Sequence, residues 1–189
     1  MNPIQDSVSF LVETVLHLAM VLVLLRFLFG LTRVDFRNPI VGMVVKITQT
    51  PLAWLRRFVP GLYGIDLSAV VLFIGLMLLK LLLLGLLVGT GFNIVGGIIF
   101  ALAKLIDMTI WTFIIAIIAQ AIMSWFIRQP NHPLLSLLND FTQPILRPVR
   151  NMLPTMSGID LSPMVVYIVL KFIQKLLVAP LYFTALQLM

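Results

Sequence analysis

Gly158-Ile159-Asp160-Leu161-Ser162-Pro163 restates a phrase found 94 residues earlier, Gly64-Ile65-Asp66-Leu67-Ser68. Working outward at the same offset, Pro60 answers Pro154, Arg56 answers Arg150, Leu52 answers Leu146, and Thr48-Gln49 answers Thr142-Gln143. Further upstream Pro39 meets Pro133, Arg26 meets Gln120, and Glu13 meets Asp107. A constant offset held over this distance is an internal duplication. Identities gather in a polar connector, while the flanks agree only in being apolar. Each half therefore reads as a hydrophobic segment, a patterned connector, and a second hydrophobic segment opened by G-I-D-L-S.

Composition identifies the solvent. Hydrophobic residues make up 61% of the 189-residue chain and charged residues 11%, against about half and a quarter in soluble domains. A water-soluble globule of this size has too little interior for that apolar surface, so a bilayer is required. There is no cysteine, which removes disulfides, thiolate metal sites and cysteine nucleophiles. The net charge of +6 is read as a basic cytoplasmic face rather than as nucleic-acid binding.

Residues 10–31 are almost wholly apolar and long enough to span as a helix. They lack the basic start and cleavage site of a signal peptide, so the reading is a retained span. Further spans are expected over 67–88, 104–127 and 163–186. Asn38-Pro39 is an expected N-cap with proline at the first helical position. Ile40, Val44 and Ile47 form one apolar side of the first connector. Thr50-Pro51 is expected to restart a second short helix, with Leu52, Leu55, Phe58 and Val59 towards acyl chains and Arg56 and Arg57 towards headgroups. In the second connector Leu134, Leu137, Leu138 and Phe141 repeat the pattern, with Pro144 and Pro148 expected to break it up. Ser162-Pro163 reads as a hydroxyl cap followed by proline, with Ser68-Ala69 as its counterpart. Glycine-rich 85–97 lacks a phosphate-loop spacing and reads as a tight turn. Trp125 fits an interfacial aromatic belt.

The organisation is thus two repeats. Residues 1–92 hold spans 10–31 and 67–88 with connector 32–66, and residues 93–189 hold spans 104–127 and 163–186 with connector 128–162. Eight of the 13 basic residues lie in the connectors, which places both connectors in the cytoplasm and both termini outside. Two spans per unit give copies inserted in the same sense, related by a pseudo-twofold along the membrane normal. The fold class is all-α integral membrane: four transmembrane helices with two interfacial amphipathic helical connectors, in a parallel tandem repeat.

Intramembrane polar candidates are Glu13, Arg26, Lys80, Asp107, Lys171 and Lys175, because a charge at bilayer depth costs at least about 2.5–3.5 kcal/mol without a partner or wet cavity. Matched depth suggests pairing Arg26 with Asp66 or, across the repeats, with Asp160. Glu13 and His17 share one helical face. Two readings stand: a buried polar path for a cation or proton, or clamps between helices with lysines reaching to the interface. His17 and His132 fall on opposite sides and cannot share a metal. No HExxH, GxSxG or enzyme-like carboxylate pair occurs, so neither catalytic nor metal residues nor a cofactor are expected, and the chain is read as a non-enzyme.

With those residues in place, the chain resembles the YggT family, which includes YlmG-type proteins of cyanobacteria and plastids. The resemblance covers essentially the whole chain and rests on SWF…HP…FTQPILRPVRNMLP…GIDLSP. Thr142, Pro144, Pro148, Arg150, Pro154, Gly158, Asp160, Ser162 and Pro163 fall in register in the second copy. Pro60, Gly64, Asp66 and Ser68 do so in the first, which departs at Thr50 and Ala69. Gln120 stands where an arginine is usual, which leaves Arg26 as the only such arginine. The resemblance implies a bacterial inner-membrane protein without established enzymatic activity. For bacterial members it implies osmotic-stress tolerance linked to potassium uptake; for plastid and cyanobacterial relatives, nucleoid distribution, division and cytochrome assembly. Two functions follow as expectations: cation movement under osmotic stress, or a membrane organiser docking anionic lipid headgroups or a partner at the basic connectors. Four spans are few for a transporter, so a homo-oligomer or partner subunit fits either, with no direct nucleic-acid contact expected.

Overall fold

The computed structural model describes residues 3–59, 61, 66–89, 91–126, 132–152 and 160–189. Six helices are formed: α1 (Pro3–Thr32), α2 (Pro39–Leu55), α3 (Leu67–Val88), α4 (Ile94–Phe126), α5 (Pro133–Met152) and α6 (Ser162–Leu188). Helices α1, α3, α4 and α6 are long and apolar enough to cross a membrane, and the architecture is that of an all-α multi-pass membrane protein. The motif positions Pro60, Gly64, Pro154 and Gly158 lie outside the described residues, as does the side chain of Trp125.

Helix α2 starts as its sequence dictates: the Asn38 Oδ1 accepts the Ile40 amide at 3.0 Å, and Pro39 follows. The expected break at Thr50-Pro51 is absent, because α2 runs through Pro51. Likewise α5 runs unbroken through Pro144 and Pro148. A mid-helix proline removes one backbone bond and costs about 3 kcal/mol, and burial of the helix face offsets it here. Val41, Val44, Thr48 and Leu52 of α2, and Leu137, Phe141, Thr142 and Leu146 of α5, are buried. Leu52 therefore faces protein rather than acyl chains, while Ile47, Trp54 and Phe58 remain exposed.

Helix α4 begins ten residues before the expected span, so Gly96 and Gly97 lie in its first turns. A Cβ at Gly96 would sit 2.8 Å from Met189 Cγ and 3.1 Å from the Ala185 carbonyl; one at Gly97 would sit 2.9 Å from Leu78 Cδ2. The glycines thus let α6 and α3 approach α4 closely, as small residues do between membrane helices. The turn before them holds Gly89 at φ 76°, the left-handed helix cap that glycine tolerates.

Both connectors lie at one end of the bundle, where Asn38 Nδ2 donates to the Pro133 carbonyl at 2.6 Å. Insertion of the repeats in the same sense therefore agrees with the sequence. Their mutual packing does not follow a twofold. Among the described residues α4 packs on α1 and α3, and α5 reaches α1, whereas α6 touches only α4 and α5, and α2 does not touch α4. The cause is one aromatic wedge. Phe141 stacks on Phe113 with ring centroids 4.7 Å apart and meets Phe29 edge-on at 5.9 Å; the first repeat has Ile47 in its place. One large core results, running from Met20, Leu24 and Phe73 to Phe113 and Phe141. A separate small core of Ile117, Leu146 and Val166 belongs to the second repeat.

Candidate functional site

Polar side chains form two layers, one at the connector end of the bundle and one well inside the spans, and the duplication organises both. At the connector end the Arg56 Nη2 meets Asp66 Oδ2 at 2.5 Å, and Arg150 Nε meets Asp160 Oδ2 at 2.8 Å. Each arginine precedes its aspartate by ten residues, so each ties the end of a connector helix to the mouth of the following span. The same aspartate shapes the helix start. Ser162 is the first residue of α6 rather than its cap, which is Leu161 without a side-chain bond, and the Ser162 amide is taken by Asp160 Oδ1 at 2.9 Å. Ser68 is buried and donates its hydroxyl to the Val59 carbonyl at 2.8 Å. Burial disfavours the Asp160 carboxylate. The Ser162 hydroxyl and amide, with the Arg150 guanidinium, outweigh that and hold its pKa below the usual aspartate value.

Neither expected partner takes Arg26. Asp66 and Asp160 are held by Arg56 and Arg150, which approach from connector helices only ten residues away, and depth alone did not choose between the arginines. Arg26 instead lies over the Phe36 ring, 5.3 Å from its centroid. Its Nη1 is buried without a hydrogen-bond partner among the described residues. In the second repeat its counterpart Gln120 completes a neutral network, donating to Asn139 Oδ1 at 2.5 Å and accepting from Thr142 Oγ1 at 2.5 Å.

The far layer is also duplicated. Lys80 Nζ reaches Glu13 Oε1 at 2.6 Å, and at the equivalent positions Gln174 Nε2 donates to Asp107 Oδ1 at 2.6 Å. Glu13 therefore pairs with a lysine on α3 rather than with His17. Lys104 Nζ lies 3.6 Å from Asp107 Oδ2. Lys171 sits one turn before Gln174, donates to its Oε1 at 2.9 Å, and lies 3.9 Å from the Trp111 ring centroid. Lys175 is exposed. Gln174 carries no charge to mark it in the sequence, although the repeat offset from Lys80 points straight to it. Among the described residues no three His, Asp or Glu side chains converge as a metal would need.

Two clefts adjoin the connector layer. One of about 490 Å³ is polar and lies between the end of α1 and α5, with Thr32, Arg33, Asp140, Gln143 and Arg147 among its walls. It is shaped by a backbone feature the sequence concealed. Arg33 adopts φ 56°, and the Val34 amide donates back to the Phe29 carbonyl at 3.2 Å, a helix-ending turn usually made with glycine. The second cleft, about 590 Å³, carries Gln120, Asn139, Arg150 and Asp160 at its polar end. It shares Ile117, Ala121, Pro163 and Met164 with an apolar groove of about 340 Å³ between α4 and α6.

The model of the CCB3/YggT family matches this chain twice, over residues 5–87 and 99–181, two stretches set apart by the same spacing as the quoted duplication. An uncharacterized protein of Pseudomonas aeruginosa is 35% identical over 93% of this chain and 90% of its own length. The uncharacterized protein YggT of Escherichia coli K12 is 33% identical over 89% of this chain and 87% of its own. A protein of Vibrio alginolyticus named for its place 3' of proC is 32% identical over 94% and 98%. No solved structure matches.

Proposed function

The chain belongs to the CCB3/YggT family, and on that premise we propose that it is a non-enzymatic organiser of the bacterial inner membrane, gathering anionic lipid headgroups at its connector end. The observation that carries this reading is the division of labour among the connector arginines. Arg56 and Arg150 are tied to aspartates, while Arg33, Arg37, Lys46, Arg57 and Arg147 make no ion pair among the described residues. Arg33 and Arg147 line the polar cleft, and Arg57 lies 5.8 Å from the Trp54 ring centroid at the exposed aromatic end of α2. Basic residues beside an anionic surface contribute about 1 kcal/mol each, and tryptophan favours the headgroup level. By the positive-inside bias this end is cytoplasmic.

Phospholipid retained through detergent purification provides the test. Arg33→Gln combined with Arg147→Gln lowers the anionic fraction retained and leaves the zwitterionic fraction unchanged. Equal anionic retention by a folded double variant would sink the proposal. A second reading, cation movement under osmotic stress with potassium uptake, is favoured by the acidic and basic side chains of the far layer. Against it, the bundle between the two layers is filled by apolar residues such as Met20, Leu24, Phe73 and Ile114.

A further inference from the structure

Repeat-equivalent positions that differ in burial reveal a face still waiting for its partner. On α1 and α3, Leu24, Leu28 and Phe73 are buried in the core that residues of both repeats share, Leu28 completely. Their counterparts on α4 and α6, Ile118, Ile122 and Tyr167, are exposed, Ile122 by 53%. The apolar groove of about 340 Å³ opens on that face. The covering side shows the opposite imbalance. Leu137 and Phe141 of α5 are buried, Phe141 to 3% exposure, whereas Met43 and Ile47 of α2 are exposed, Ile47 by 59%.

This is the pattern of a heterologous interface: one face of the first repeat receives a different face of the second. A heterologous contact always leaves one unused copy of each face, and these match each other. From the unused faces we infer that copies of this chain associate head to tail in the membrane. The α2 side of one copy, with Met43 and Ile47, occupies the α4–α6 face of the next, with Ile118, Ile122 and Tyr167.

Three observations favour a second copy over a lipid chain as the occupant. Side chains at the receiving face keep their apolar character and approximate size between repeats: Leu24 and Ile118, Leu28 and Ile122, Phe73 and Tyr167. Both repeats insert in the same sense, so the operation joining them, applied again, generates the next copy in the same bilayer. Finally, the polar seam between repeats has a prepared counterpart. Asn38 caps α2 through Oδ1 and reaches Pro133 through Nδ2. His132 occupies the equivalent place, its Nδ1 accepting the Leu134 amide at 3.3 Å, which leaves Nε2 to face Pro39 of the neighbouring copy.

Cysteine crosslinking tests the inference, and the absence of native cysteine makes it clean. The Phe29–Phe141 contact within the chain corresponds to Met123 of one copy and Ile47 of the next. A Phe29→Cys, Phe141→Cys chain serves as the intramolecular control. Differently tagged Met123→Cys and Ile47→Cys chains, co-expressed and oxidised in membranes, are expected to form a mixed dimer, while neither variant alone crosslinks to itself. The Met123→Cys, Ile47→Cys double variant is expected to form higher covalent assemblies. Self-crosslinking of Met123→Cys, which marks a symmetric interface, would overturn the inference. So would a working intramolecular control without the mixed dimer, which leaves the groove to lipid.

Discussion

Truncating Phe141 tests the packing on which the two-repeat architecture depends. The ring is buried between Phe29 and Phe113, at centroid distances of 5.9 and 4.7 Å. Each aromatic contact contributes about 0.5–1.5 kcal/mol beyond burial, and a buried Phe→Ala change typically costs about 3–5 kcal/mol through lost contacts and the cavity left behind. Packing in lipid lacks most of the hydrophobic transfer gain, so the lower end, about 3 kcal/mol, is expected for Phe141→Ala. At about 2–4 °C per kcal/mol for a chain of this size, the unfolding midpoint falls by roughly 6–12 °C. Ile47→Ala, at the repeat-equivalent position, removes a side chain that is 59% exposed and costs less than about 1 kcal/mol. Thermal unfolding of the two variants as single chains separated in one detergent, where no neighbouring copy covers Ile47, makes the comparison, with Phe141→Leu as a milder replacement. Equal losses at Phe141 and Ile47 would refute non-reciprocal docking.

Three further outcomes are expected. Lys80→Gln retains most of the wild-type stability, because Gln174 already holds Asp107 in the same arrangement. Lys80→Ala leaves Glu13 without its partner and lowers the unfolding midpoint further; equal midpoints for the two variants would show that the contact contributes nothing. Arg26→Gln removes a guanidinium whose Nη1 is buried without a hydrogen-bond partner among the described residues and places a side chain beside Thr48 as Gln120 lies beside Thr142, so stability is unchanged or rises. A midpoint drop for Arg26→Gln would reveal an interaction of Arg26 stronger than its contact with Phe36. Because the folded pKa of Asp160 is depressed, its contribution is present above the unfolded value of about 3.9 and lost as pH falls through the folded one. The stability gap between wild type and Asp160→Asn should therefore be constant above about pH 5 and shrink in acid; a gap that widens in acid would reverse the sign of the shift.

Much of the fold was legible because a bilayer imposes few solutions: four long apolar segments and a constant repeat offset suffice to place the spans and the connectors. The proline reading failed because a missing backbone bond is a local cost, whereas α2 and α5 each bury an entire face that rewards a continuous helix. The Arg26 pairing failed because several arginines share its depth. The repeat contained the answer, since Arg56 and Arg150 both stand ten residues before an aspartate. Non-reciprocal docking was not legible at all. It turns on Phe141 standing opposite Ile47, a difference that looks conservative until the ring is seen between two others. In the far layer, Lys80 and Gln174 show how a repeat position can exchange charge for amide while Lys171 restores the cation one turn away.

Tracer flux of potassium or rubidium into proteoliposomes containing only this protein tests the organiser reading most directly. The account predicts uptake no greater than in empty vesicles, with protein inserted and folded, because an apolar core separates the two polar layers. Uptake above that background, abolished by Lys80→Ala, would contradict it and make the far-layer charges part of an ion path.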